Sequence, residues 1–97
     1  MSPLKRKKLS KIRFQLDKLD NSLIKLIKKR TNLVKKVLKL KENKNQIVDQ
    51  KRIKIILSNI RKKSLKNKID PKITHRIWKN MIYAYIDFEK KNFKKKH

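Results

Sequence analysis

Apolar residues fall at Leu9, Ile12, Leu16, Leu19, Leu23 and Leu26, and the rhythm resumes at Leu33, Val37 and Leu40. Steps of three and four sustained over this length predict one long helix with a coiled-coil-like seam. From Leu9 to Lys41 it spans roughly 50 Å at the standard rise per residue. Two short helices cannot cover so long a stripe, so the pattern calls for a partner, most cheaply a second copy of the chain. The polar segment ENKNQ (42–46) breaks the pattern and reads as a loop. A second helix is predicted from Asp49 to Lys63, with Ile53, Ile56, Leu57 and Ile60 as its buried face. Asp70 followed by Pro71 is a strong helix start: a side-chain cap, then a residue suited to the first turn. The third helix runs to Phe93 with Ile73, Ile77, Trp78, Met81, Ile82 and Tyr85 inward, and the tail KKKH is expected to fray. The pattern describes an all-α chain of three helices, read as a single domain over 1–97 with a basic extension at 1–8 and a basic tail at 94–97.

Charged residues interrupt these apolar lines. The stripe member missing between Leu26 and Leu33 is Arg30, and Lys41 stands at the stripe's edge. The two lie close to three whole turns apart, so they share a face with backbones about 16 Å apart, and their long side chains can close on one small anion. Arg13 also borders the stripe but lies roughly 25 Å from Arg30 along a straight helix. It reaches the same small ligand only from the partner in an antiparallel pair. On the third helix Glu89 prolongs the line Trp78, Ile82, Tyr85, an anomaly of opposite sign. Asp49 and Arg52 stand one turn apart at the start of the second helix, where a cap and a local ion pair are the plain explanation of the two taken alone. A snorkelling seam residue is the plain explanation of Arg30, and exposure near a helix end that of Glu89. Taken together, these positions describe a mostly cationic pocket between long helices, suited to a compact dianion.

Composition narrows the chemistry. There is no Gly and no Cys, which removes Gly-rich phosphate loops, disulfides, thiolate chemistry and cysteine zinc sites. His75 and His97 are too far apart in sequence to suggest a ligand pair, so no metal is expected. The N-terminus has no apolar core of a leader, and no apolar run approaches spanning length, so a cytoplasmic protein without a membrane association is expected. The net charge of +25 invites a polyanion partner. Yet 26 of the 32 cations are Lys, and Ile and Asn are abundant too, as an AT-rich genome would produce without selection for binding.

The blocks IRFQLDKLDNSLIKLIKKR, KLK, IVDQKRI and IDPKITHRIWKNMIYAYIDFE, in this order and spacing, resemble the all-α chorismate mutase family over roughly residues 9–93. The N-terminal block is the most specific: Arg13, Leu16, Leu19-Asp20, Leu23 and Arg30. The resemblance implies an intertwined homodimer with two active sites, each taking one arginine from the partner's long helix, here Arg13. It further implies that Arg13 and Arg30 hold the two carboxylates of chorismate, and that Lys41 bonds the ether oxygen and a carboxylate. Asp49 and Arg52 would lie near the ring hydroxyl and the closing loop, with Glu89 facing the ether oxygen. Three positions depart from the bacterial pattern. Ile53 stands where a glutamate contacting the ring hydroxyl is common, Tyr85 replaces a small polar residue, and Glu89 replaces a glutamine. Glu at 89 is similar to fungal members, whereas an aliphatic residue at 53 and Tyr at 85 are similar to the related isochorismate-pyruvate lyases.

The expected activity is therefore rearrangement of chorismate to prephenate, for phenylalanine and tyrosine biosynthesis, with no cofactor and no metal. The reaction is unimolecular and needs no nucleophile–base pair, in keeping with the residues available. A lyase of the same fold is the alternative. A helical nucleic-acid binder is the competing class, supported by net charge alone. It would present aromatics for stacking, whereas Trp78 and Tyr85 lie in the apolar line. A structural coiled-coil adaptor explains the seam but not Arg30 and Glu89 within it.

Overall fold

In the computed structural model, which describes residues 1–94, the chain is all-α. Helix α1 covers Pro3–Leu40, a 3-10 turn covers Lys44–Gln46, α2 covers Gln50–Lys66 and α3 covers Pro71–Asn92. The chain divides into two compact units, residues 1–33 and residues from 34 onward.

The first unit is helix throughout after Ser2. It starts earlier than the apolar rhythm suggests because Ser2 and Pro3 form a start signal of their own: the Ser2 hydroxyl accepts from the Lys5 amide at 3.2 Å, and proline occupies the first helical position. The expected basic extension is thus helical from Pro3. Lys18 sets its ammonium over the Phe14 ring, 4.6 Å from the centroid and one turn along. No residue of α1 is buried, and Leu16, Leu19, Leu23 and Leu26 are each more than half exposed.

The second unit holds the core. Ile47, Ile53, Ile82 and Ile86 are buried against one another, with Leu38, Val48, Ile56, Leu57 and Phe93 packed around them. Helix α2 starts where expected, with the Asp49 carboxylate accepting from the Arg52 amide at 3.0 Å. It runs three residues past the expected end and closes in a Schellman motif, in which Ile69 N–H donates to the Ser64 carbonyl and Lys68 N–H to that of Leu65. The left-handed residue of that motif, at φ 57°, is Lys68, because the chain has no glycine to put there. Helix α3 begins at Asp70–Pro71, with the Asp70 carboxylate accepting from the Lys72 amide at 2.9 Å. Ser64, 3% exposed, ties α2 to α3 by a 2.6 Å hydrogen bond to Thr74.

The inward face of α3 differs from expectation. Ile82 is buried as predicted, and Trp78, Met81 and Tyr85 are half-buried, but Ile86 and Glu89 complete the buried line. Ile73 and Ile77 are 56% and 52% exposed. Positions 82, 86 and 89 are stacked by four and three residues on the side packed in the core, whereas Ile73 and Ile77 form a separate flank that nothing in this unit covers. The 42–46 loop contains a 3-10 turn, held by the Gln46 amide oxygen accepting from the amides of Glu42 and Asn43. Of the KKKH tail, Lys94 lies beyond the helix and is exposed, and the remaining residues, 95–97, lie outside the described ones. No helix among the described residues is long and apolar enough to cross a membrane.

Candidate active site

The chemistry of the second unit centres on Lys41. It follows the last residue of α1, so its backbone is already leaving the helix: its amide bonds the Leu38 carbonyl at 3.2 Å in a tightened last turn. Its side chain turns inward. The ammonium donates to both oxygens of Glu89, at 3.3 and 3.4 Å, and lies 3.5 Å from the carbonyl of Ile47. Side-chain exposures of 18% for Lys41 and 8% for Glu89 make this a largely desolvated ion pair. Helix α3 delivers Glu89 there because it continues the buried line of Ile82 and Ile86. The same apolar packing that builds the core therefore presents a carboxylate to an ammonium. Glu89 is buried, so the fraying expected of a terminal turn does not hold for it.

Lys41 also lines an open cleft of about 620 Å³, together with Asp49, Val37, Leu40, Asn45 and Gln46. Asp49 is exposed and engaged as the α2 cap. Its contact is to the backbone amide of Arg52, whose side chain lies on the exposed first turn. Ile53 is a core residue, 9% exposed, against Ile47, Ile82 and Ile86. Tyr85 is half-buried on α3. The remaining two sequence candidates belong to the first unit. Arg30 is half-buried with its Nε atom screened from solvent, and Arg13 is exposed. Arg30 is one of the few half-buried residues of a helix with no fully buried residue.

The structure brings together Lys41 and Glu89, and it places Lys41 and Asp49 along one cleft. Sequence reasoning missed the direct pairing of Lys41 with Glu89 and the part played by the Ile47 carbonyl. The signal for the pair was present, since each residue breaks an apolar line with the opposite charge. Among the described residues no group of three acidic, histidine or cysteine side chains could hold a metal ion. Chemically, the arrangement offers a fixed cationic donor in a low-dielectric place, steadied by a carboxylate and a backbone carbonyl. Such a donor suits an oxygen that gains negative charge during a reaction.

Residues 12–90 match the family model described as chorismate mutase type II. A protein of Methanocaldococcus jannaschii named chorismate mutase is 36% identical over 76 residues, 77% of this chain and 77% of its own length. No solved structure matches the chain.

Proposed function

The chain belongs to the chorismate mutase type II family, and from that premise we propose that it converts chorismate to prephenate at a site shared between two copies of itself. The observation that carries this reading is the desolvated Lys41–Glu89 pair. The rearrangement breaks a C–O bond while a C–C bond forms, and charge grows on the ether oxygen as it proceeds. Lys41 donates to that oxygen and to one carboxylate by exchanging part of its contacts with Glu89 and the Ile47 carbonyl, which hold the ammonium at the site. Glu89 faces the same oxygen. Arg30, with Arg13 supplied by the partner, holds the two carboxylates and folds the substrate into its reactive conformer. Asp49 and Arg52 lie toward the ring hydroxyl and the segment that closes the site. The reaction itself requires no metal or cofactor.

The second copy is supported by α1. Its leucine stripe is exposed along the whole first unit, and contiguous apolar surface of this extent marks an interaction face. An antiparallel partner covers it and brings Arg13 to the site. We assign the whole chain to one mutase domain working in the cytoplasm.

A lyase acting on isochorismate is the second reading, and the burial of Ile53 favours it. With an aliphatic core residue at that position, no acid reaches from it to a ring hydroxyl. Purified protein incubated separately with chorismate and isochorismate decides between them. Prephenate from chorismate supports the mutase. Pyruvate release from isochorismate, with chorismate left intact, overturns it in favour of the lyase.

A further inference from the structure

Against a background of 26 lysines, which base composition alone can account for, the six arginines carry more information. Arg13, Arg30 and Arg52 belong to the proposed mutase site. Of the remaining three, Arg61 and Arg76 line one cleft between α2 and α3. Its other lining residues are Lys72, His75, Ser58, Leu57 and Pro71, and its volume is about 720 Å³. Such a volume lies within the usual range for small-molecule sites.

Helix geometry makes the clustering specific. Lys72, His75 and Arg76 sit at i, i+3 and i+4 on α3, one face, and Leu57, Ser58 and Arg61 share the facing side of α2. No acidic side chain lines the cleft. Asp70 stands nearby, but its carboxylate is committed to the Lys72 amide, and the Ile73 amide bonds the Asp70 carbonyl. The start of α3 is thereby satisfied, so anion affinity here comes from side chains rather than from free helix amides. Like charges gathered without a counter-charge repel one another until an anion joins them.

We propose that this cleft is a second anion site, distinct from the mutase site, for a small organic phosphate. Three cations, Arg61, Lys72 and Arg76, exceed what a single carboxylate neutralises and suit the nearly double charge of a phosphate monoester. Two guanidinium groups can grip its oxygens with paired hydrogen bonds. Leu57 and Pro71 supply an apolar floor for the organic part. No aromatic side chain lines the cleft for base stacking, which argues against single-stranded nucleic acid as the occupant. Along α3, Arg76 precedes Glu89 by thirteen residues, roughly 20 Å, so occupant and substrate do not compete.

The test is calorimetric titration of the full chain with phenyl phosphate, and separately with benzoate and inorganic phosphate, at about 150 mM salt, where diffuse surface attraction is screened. We expect saturable binding of one phenyl phosphate per chain, weaker binding of inorganic phosphate, and little binding of benzoate. Arg61→Gln/Arg76→Gln should weaken binding by about tenfold or more. Lys5→Gln/Lys7→Gln/Lys8→Gln, which removes more charge from the first unit, should leave it unchanged, and so should Arg30→Ala. Arg61→Lys/Arg76→Lys keeps the charge and guards against a folding defect; it should bind more weakly than the parent chain. Non-saturable binding, equal affinity for benzoate, equal loss in the Lys5/Lys7/Lys8 variant, or loss in Arg30→Ala would each overturn the proposal. The outcome does not depend on whether the chain acts on chorismate or isochorismate.

Discussion

Replacing Lys41 by Met removes the ammonium but keeps the length of the side chain, and it leaves the Glu89 carboxylate in a place where the side chain is 8% exposed. At 3.3 Å the pair attracts by about 5 kcal/mol in an effective dielectric of roughly 20, most of which offsets the cost of taking both charges out of water. Breaking one side of such a pair forfeits the attraction while the burial cost of the other charge remains, about 3 to 5 kcal/mol in total. Lys41→Met should therefore be strongly destabilised. The double variant Lys41→Met/Glu89→Leu buries no charge and should lie within about 1 kcal/mol of the parent, or above it. Urea unfolding at a fixed protomer concentration measures all four corners of the cycle, since association would otherwise shift the midpoints. A Lys41→Met cost below about 1 kcal/mol, or a double variant no more stable than the sum of its singles, would refute a desolvated pair. The same double variant should be folded yet inactive, which separates the site's chemistry from its contribution to stability.

Two further outcomes can be tested. Mixing inactive Arg13→Ala and Arg30→Ala chains should restore about a quarter of the parent turnover, because half the dimers are mixed and one site in each has both arginines; no recovery after confirmed subunit exchange would exclude sharing across chains. Lys68→Gly should raise stability by about 1 kcal/mol in urea unfolding, since it relieves a side chain held in the left-handed region; destabilisation would mean that Lys68 makes a contact worth more than its backbone strain.

Local signals in the sequence were enough for the helices. Asp49 and the Asp70–Pro71 pair mark starts through their own side chains, and each is found capping as expected. The three-four rhythm through Leu9 to Leu40 lies within one continuous helix, because periodicity and propensity act over a few residues. The early start at Pro3 was equally local, held in Ser2 and Pro3, though the apolar rhythm drew attention away from it.

Candidate site residues were legible as anomalies: Arg30 and Glu89 stand where an apolar residue belongs, and Lys41 at the edge of the stripe. Which anomalies meet was decided by tertiary structure. Lys41 and Glu89 are 48 residues apart, and no helical repeat relates them. Likewise the apolar line read from the sequence included Ile77 and not Ile86, since periodicity does not say which side α2 takes; packing buries Ile86 and leaves Ile77 exposed. Arg61 and Arg76 read along the chain as two of many cations, and only the pairing of α2 with α3 sets them along one cleft. A sequence specifies which faces a helix has, whereas the rotation of one helix against another is a property of the packed pair.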